Sequence, residues 1–306
     1  MPPTRIVAAG YQVAASVHNR AMRVLEADLA KRLPEVEFDF TDSILDQGKT
    51  AGDLIKSVED GTLTLCYQST TRMPAHVSEF AILDLPFLFQ DRATAYATLD
   101  GAFGDHLRER LEAVTPLRVL GWWDNGFRHL TNRLRPLRTP EDCAGLRIRT
   151  QFSETHQAAL GCLGMEPKAI DISELIASLE AQVVDAHDNA LTNIVNFGIY
   201  RYHPYVTLSA HVFGVSAIYA NADRLAELGP EVEAALRESA KVATRAQREL
   251  AAAEDAVALA KLLEEGVTVT ELTGAEHAAF AQAVAPVFDA QRAQFGDEMF
   301  RLATGR

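Results

Sequence analysis

The sequence is short of positive charge. It has 29 lysines and arginines against 42 aspartates and glutamates, which gives a formal net charge of -13. Binding to nucleic acid needs a clustered positive surface, so this composition argues against a nucleic-acid partner. An acidic surface mainly promotes solubility. Any anionic ligand must therefore be attracted by a local basic pocket and not by the charge of the whole protein.

Cysteine and long apolar runs are also scarce. The three cysteines, Cys66, Cys143 and Cys162, are an odd number and form no C-x-x-C pair, which disfavours a disulfide framework or a zinc site. No apolar run approaches the roughly 20 residues that cross a bilayer. The start, MPPTRIVAAGYQ, lacks the basic and apolar regions of a secretory signal. Composition leaves two interpretations open, a cytoplasmic chain or a mature chain whose signal was removed.

Familiar catalytic motifs are missing as well. The sequence contains no G-x-S-x-G, H-E-x-x-H, G-x-x-x-x-G-K-[ST] or G-x-G-x-x-G. His129, His187 and Asp188 are capable of acid–base work, but a single histidine is more often a hydrogen-bonded structural residue. We therefore expect a protein that is not an enzyme, with no cofactor and no metal site.

What the sequence does have is strand–helix alternation. RIVAAG, VEFDF and TLTLCY read as strands, with a helix capped by Ser16 after the first and a short helix before the third. A one-turn helix at 139–145 and helices at 153–163 and 173–181 follow, with a strand near 167–171. This order predicts the α/β class, with parallel-rich sheets flanked by helices.

Three further features complete the sequence-based prediction of elements. Asn125-Gly126 marks a turn, and YVTLSAHVFGVSAIYAN gives two extended runs separated near His211. Asn189 opens a helix at 189–196. From Pro230 to about Leu263 there is no Gly or Pro, and an unbroken helix there is about 50 Å long. Because that length exceeds a small domain, we expect the helix to lie across two domains.

The strand GLRIRT, residues 145–150, places two arginines on one face. Alternation puts Leu146 and Ile148 on the opposite face from Arg147 and Arg149. A guanidinium binds a carboxylate through two parallel hydrogen bonds, which fixes orientation as well as charge. The strand by itself favours a structural arginine paired with a neighbouring acid.

Several linked blocks resemble a known family. The blocks are GWWDNGFRHLTN, LRTPEDCAGLRIRT, LGMEPKAIDISELIASLEAQVVDAHDNALTNI and ILDLPFLFQDRATAYATLDG. Their order and spacing are similar to those of DctP-type solute-binding proteins of tripartite ATP-independent periplasmic (TRAP) transporters, over nearly the whole chain.

The resemblance implies a two-lobed periplasmic-binding-protein fold with crossing strands and one long helix spanning both lobes. We expect residues 1–124 plus 214–255 to form lobe I, and 125–213 plus 256–306 to form lobe II, with a small carboxylate ligand in the cleft between them. The resemblance also implies delivery of that ligand to a membrane permease, a periplasmic location with the signal removed, and a monomer, as in most relatives. A sensory ligand-binding subunit, or an enzyme acting on an organic acid, are the alternatives.

Site residues follow from the same resemblance, position by position. Arg149 matches the carboxylate-clamping arginine of the family. Arg128 matches a second arginine that is aimed at the ligand directly or through water, and the alternative for it is a salt bridge at the hinge. Asn189 is the third candidate, because its amide both donates and accepts hydrogen bonds. The family pattern here is closer to QENP, whereas this chain has HDNA at 187–190. The immediate surroundings of the asparagine are therefore expected to differ.

Weaker candidates follow the strands of lobe I or lie in the crossing strands: Gln12, Tyr67, Gln68, Trp123 (or its neighbour Trp122) and Phe213. The family commonly has aromatics near 172 and 176, where this chain has Ile172 and Ile176, and Asp171 is able to pair with a ligand ammonium. The sequence leaves open which organic acid binds, whether a metal or sodium ion assists, and whether the protein is open or closed.

Overall fold

The computed structural model describes residues 4–305. The chain divides into two compact units. The first consists of the chain up to Thr70 with Arg108–Asp124 and Val215–Glu254, and the second of Thr71–Leu107, Asn125–Gly214 and the chain from Asp255 onward.

The strands, in chain order, are β1 (Arg5–Ala9), β2 (Glu37–Thr41), β3 (Leu65–Ser69), β4 (Leu117–Asn132), β5 (Arg147–Thr150), β6 (Glu166–Ala169), β7 (Ala186–Ala190), β8 (Tyr205–Asn221) and β9 (Thr268–Glu271). The α-helices are α1 (Val17–Arg32), α2 (Gly52–Glu59), α3 (Arg92–Leu99), α4 (Ala102–Val114), α5 (Glu154–Cys162), α6 (Leu175–Glu180), α7 (Leu191–Asn196), α8 (Ala222–Leu228), α9 (Pro230–Glu264) and α10 (Gly274–Thr304). Short 3-10 helices lie at Ile44–Gln47, Thr70–Ala75, Ser78–Asp84, Pro140–Cys143, Ile172–Glu174 and Ile199–Arg201.

Parallel pairing dominates the sheet of the first unit. β1 lies between β2 and β3 and is parallel to both, while β3 pairs antiparallel with the second half of β8. The alternation predicted for this stretch is confirmed, including the Ser16 cap, whose side chain accepts a hydrogen bond from the backbone of Asn19.

In the second unit β7 is the central strand. It pairs in parallel with β5 and antiparallel with β4, and β5 continues in parallel to β6. β9 runs parallel to the first half of β8. A hydrophobic cluster lies under these strands, formed by buried residues of α6, α7, β8 and α9 and the loops near them: Leu175, Leu179, Val184, Leu191, Ile194, Ile199, Val206, Ala258, Leu262 and Val267.

Two predicted interruptions are wrong, because β4 and β8 each run unbroken. Gly126 has the turn-like φ of +79° but lies within β4, where a Cβ would lie 2.5 Å from the Cβ of Ala190. Near His211 the irregularity is a single residue, Ala210, with φ +43°. Each strand contains one residue with a left-handed φ and continues as a strand on both sides of it.

The segment 71–107 was expected in lobe I with the rest of 1–124, but it belongs to the second unit. Its 3-10 helix at Ser78–Asp84 contacts α5 and α10, and α3 also contacts α10. Tertiary packing of this kind has no local sequence signal, which explains the misplacement.

The long helix is confirmed as α9, and the boundary between the two units falls within it. The last helix also has a cap, since Thr273 and Glu276 form a reciprocal capping box at the start of α10. Cys66 and Cys143 are buried free thiols, and Cys162 is an exposed one. None of the helices in residues 4–305 combines the length and hydropathy that a membrane span requires.

Candidate functional site

Three neighbouring strands of the second unit carry the strongest candidates to one edge of the sheet. Arg149 lies near the carboxyl end of β5 and Asn189 near that of the parallel strand β7. Because β4 runs antiparallel to β7, Arg128 is opposite Ala190 and reaches the same edge. Carboxyl ends of parallel strands are the usual place for a ligand in such sheets.

The guanidinium of Arg149 is buried and held by the protein. Its Nε donates to the carbonyl oxygen of Ile170 at 2.8 Å, and its Nη1 lies 3.3 Å from Nε2 of His187. The side chain is 3% exposed. Its neighbour Arg147, on the other hand, is half-buried and pairs with Asp185, at 2.7 Å. The two arginines of GLRIRT therefore have different environments, although they lie on one face of the strand.

Arg128 forms a buried ion pair with Asp188. Its Nε lies 2.5 Å from Oδ2 of Asp188, and its Nη2 donates to the backbone oxygen of the same residue. Burial by itself raises the pKa of Asp188, but Arg128 and the nearby His156 and His211 hold it well below its ordinary value. The aspartate therefore stays ionised and neutralises Arg128 internally.

His156 and His211 complete the surroundings of this carboxylate. Their Nε2 atoms lie 3.2 and 3.3 Å from Oδ2 of Asp188, and all three groups are buried. Two imidazoles and a carboxylate are a set of ligands that a transition metal accepts. Arg128 already occupies the same Oδ2, however, so a divalent cation would have to displace a guanidinium and repel it. The arrangement fits a neutralised anion better than a metal centre.

The amide of Asn189 is fixed by three donors to its oxygen. Oδ1 accepts from the backbone of Ala190 at 3.0 Å, from Nδ2 of Asn193 at 3.0 Å and from Arg128 at 3.3 Å. Within the described part of the chain, its Nδ2 makes no hydrogen bond to the protein. The sequence predicted an amide that both donates and accepts; the structure leaves it as a donor.

The predicted start of the helix at Asn189 is wrong by two residues. Asn189 belongs to β7, and α7 begins at Leu191 after Ala190. The reason is that β4 pairs with β7 as far as Ala190, so strand pairing extends over residues whose local sequence favours a helix start.

In the first unit, Gln12 is the candidate whose side chain remains available. It is 2% exposed, and neither its Nε2 nor its Oε1 has a hydrogen-bond partner among residues 4–305. A buried amide without partners costs free energy unless water or a ligand satisfies it. Gln12 therefore stays a predicted ligand contact.

Three other candidates of the first unit have structural partners. The hydroxyl of Tyr67 accepts from the backbone of Tyr11 and Gln12 and donates to Asn19. Gln68 donates to the carbonyl of Ala51 and accepts from Ser69, and Trp123 donates to Thr244 at 3.1 Å. These contacts organise the unit, and a role in ligand binding stays a prediction for each.

Candidate residues in the second unit also have packing roles. Phe213 is buried against the rings of Phe89, Tyr96 and Phe127, all edge-on. Ile172 and Ile176 pack against the hydrophobic cluster of this unit. Asp171 forms an ion pair with Arg72 and caps Ser173, so its carboxylate is already neutralised.

Asp84 is a buried carboxyl that sequence reasoning missed. It is 5% exposed, and burial raises its pKa to about 6, although the Ser153 hydroxyl and the charge of Arg128 act in the opposite direction. It lies in the 3-10 helix at Ser78–Asp84 and reaches this cluster only through tertiary packing. No sequence motif surrounds it, so nothing in the chain pointed to it.

Replacing Asp84 with Asn is expected to stabilise the protein at neutral pH. The folded pKa of about 6 lies above the unfolded value near 3.9, so the stabilising contribution of the protonated carboxyl is complete below about pH 4 and is lost as the pH rises through 6. We expect Asp84→Asn to raise the free energy of unfolding by about 1–3 kcal/mol at pH 7.5. The gain should vanish near pH 4. Urea unfolding at both pH values measures it, and an equal effect at the two would contradict the assignment.

Comparison with known proteins agrees with this geometry. A model of the bacterial extracellular solute-binding proteins of family 7, the DctP proteins, matches residues 40–294. The chain belongs to this family. The resemblance inferred from the sequence blocks is therefore confirmed.

Two similar proteins differ in how much of their own length the match covers. The 2,3-diketo-L-gulonate-binding periplasmic protein YiaO of Escherichia coli is 31% identical over 245 residues, 80% of this chain and 73% of the relative. Protein y4mM of Sinorhizobium fredii is 34% identical over 243 residues, 79% of this chain but only 44% of that longer relative.

A solved structure matches the whole chain. The sugar acid binding protein DctPAm of Advenella mimigardefordensis, in complex with galactonate, has a TM-score of 0.94 at 26% identity and covers 100% of this chain and 98% of its own. The predicted fold class, the α/β fold of the periplasmic binding proteins, is confirmed. The family is one of solute-binding proteins and not a family of enzymes.

Proposed function

We propose that this protein binds the carboxylate of a small sugar acid in the periplasm and delivers it, chemically unchanged, to the membrane permease of a TRAP transporter. The carboxylate binds Arg149, with Asn189 and Arg128 contributing from the neighbouring strands. Membership of an extracellular solute-binding family supports the location and the partner.

The observation that carries the proposal is the convergence of buried donors. Two guanidiniums and an amide whose oxygen is already engaged lie at one edge of the sheet in the second unit. Such a set favours acceptor oxygens, and above all an anion. Hydrogen bonds to charged groups contribute about 1.5–3 kcal/mol each, so three or more approach the roughly 8 kcal/mol of micromolar binding.

The class of acid is inferred from relatives as well as from the donors. One relative is named for 2,3-diketo-L-gulonate and a structural neighbour holds galactonate, and both are sugar acids. The amide Nδ2 of Asn189 suits a hydroxyl or carboxylate oxygen of such a ligand. We therefore propose a sugar acid as the ligand in preference to a dicarboxylate.

A thermal-shift screen with matched ligands tests this function. Galactonate and 2,3-diketogulonate should raise the Tm and bind with micromolar or lower Kd in calorimetry, whereas galactose, which lacks the carboxylate, should do neither. Mass spectrometry should recover the acid unaltered. Equal binding of galactose, no response to any acid at millimolar concentration, or conversion of the acid would each overturn the proposal; preferential binding of succinate would overturn the sugar-acid class alone.

A further inference from the structure

We propose that His187 is a positioning residue for Arg149: its Nε2 accepts a hydrogen bond from Nη1 and holds the guanidinium in the orientation that grips the ligand carboxylate. This inference rests on the proposed function, because it concerns the same site. It assigns a task to a residue at which this chain departs from the QENP pattern of the family.

The register of the sheet brings the two residues together. Arg149 of β5 and His187 of β7 are direct partners in a parallel pair, so their side chains share one face. Nη1 and Nε2 lie 3.3 Å apart, and both side chains are buried, His187 completely. The contact is therefore built into strand pairing and does not depend on a flexible loop.

Arginine chemistry fixes the proton on the imidazole. A guanidinium has only donors, so Nε2 of His187 must present its lone pair and the proton must be on Nδ1. A protonated ring would place a second positive charge 3.3 Å from the first, in a buried site. Burial and Arg149 together hold the pKa of His187 well below its ordinary value. His187 therefore stays a neutral acceptor across the physiological range.

The other charged and titratable groups near His187 do not reverse the lowering of its pKa. Arg128 and His203 also lower its pKa, and only Asp188 raises it. Asp188 is committed to Arg128 through the 2.5 Å contact. Arg149 on β5 and Arg128 on β4 therefore both oppose a proton on the ring, and the one group that favours it, Asp188, is paired with Arg128.

Acceptors on two different strands or loops orient the plane of the guanidinium. Ile170 holds Nε and His187 holds one hydrogen of Nη1. Because Nε is engaged by a carbonyl, we expect the ligand carboxylate at the terminal edge, Nη1 with Nη2. Holding a side chain in its binding orientation reduces the entropy that is lost when the ligand binds.

A pair of substitutions separates positioning from packing. In His187→Gln the amide oxygen can replace Nε2 as acceptor, whereas His187→Leu keeps a similar volume without an acceptor. We expect the glutamine variant to bind galactonate within about threefold of the unmodified protein, and the leucine variant to bind about tenfold or more weakly, with both retaining a cooperative unfolding transition. Equal loss in the two variants, or no loss in either, would overturn the inference.

A second experiment tests whether His187 and Arg149 act together in binding the ligand. In an Arg149→Lys background, which changes the geometry of the donor, His187→Leu should cost less than threefold in further affinity, since the two residues act as one unit. A full tenfold loss in that background would show that His187 acts independently and would overturn its role.

A ligand-free readout keeps this test distinct from that of the proposed function. Nitrogen-15 NMR of the His187 ring should show a neutral imidazole protonated at Nδ1 between pH 5.5 and 8, and the Nε2 signal should move in Arg149→Lys. Protonation at Nε2, or an unmoved signal, overturns the inference whether or not an acid binds. Failure of every acid to bind, with the NMR result as expected, would overturn the proposed function and leave the contact established.

Discussion

Replacing Arg149 with alanine is expected to weaken binding of the sugar acid by about 100-fold or more. In the proposed mode of binding, the substitution removes two parallel hydrogen bonds to the ligand carboxylate, each worth about 1.5–3 kcal/mol. Arg149 is 3% exposed, so water does not readily replace them. Calorimetric titration with galactonate measures the loss. The cooperative urea transition of the variant should remain, because the strand pairs of β5 do not involve the side chain.

Arg147→Ala is the matched control. It removes the same side chain from the same strand, two residues earlier, but Arg147 is half-buried and pairs with Asp185, which Arg133 also binds. The affinity for galactonate should stay within about twofold, since a partly exposed ion pair contributes at most about 1 kcal/mol to stability and nothing to a distant ligand. If both arginine variants lose affinity equally, or Arg149→Ala binds normally, the clamp is not at Arg149.

Asp188→Asn is expected to destabilise the fold by about 3–5 kcal/mol, because it leaves the guanidinium of Arg128 buried without its counter-charge. Arg128 is 2% exposed and Asp188 is 0% exposed, and their contact is 2.5 Å long. Urea unfolding at pH 7 measures the difference. The affinity for galactonate should also fall, because Arg128 in turn donates to Oδ1 of Asn189.

The control is an arginine–aspartate ion pair on the surface with the same N–O distance, Arg292 with Asp297. Nε of Arg292 lies 2.5 Å from Oδ1 of Asp297, with both side chains more than half exposed. Asp297→Asn should change the free energy of unfolding by less than about 1 kcal/mol. A loss of similar size in the two variants would mean that burial of the Arg128–Asp188 pair has no energetic consequence.

The pH dependence of the Asp188 effect has a definite sign. The folded pKa of Asp188 is held well below its ordinary value, so its stabilising contribution is present above about pH 4, the unfolded value, and is lost as the pH falls through the folded pKa. The difference between the unmodified protein and Asp188→Asn should therefore be constant from pH 5 to 8 and shrink only in stronger acid. Asp84 has the opposite profile, since burial raises its pKa to about 6.

Local patterns of the sequence predict much of the fold. The Ser16 cap, the helix at 153–163 and the Gly- and Pro-free run of α9 are predictions that the structure confirms. Alternation in GLRIRT placed Arg147 and Arg149 on one face, and only the folded chain decided that Arg149 is buried and Arg147 half-buried. These features are local because backbone periodicity and capping depend on neighbours within one or two turns.

Other features were decided only by tertiary structure. Strand pairing kept β4 and β8 extended through Gly126 and Ala210 and carried β7 past Asn189. Packing of the segment 71–107 on α5 and α10 placed Asp84 near the site.

The charge states and hydrogen bonds of the candidate site were also decided by tertiary structure. The sequence by itself determined which residue types were available, among them Arg128, Arg149 and Asn189, and the family whose pattern they follow. Only the folded chain decided that Asp188 neutralises Arg128, that His187 accepts from Arg149, and that Asn189 is left to donate. The physical reason is that charge state and hydrogen-bond availability are properties of partners distant in sequence, and burial makes each such partnership strong.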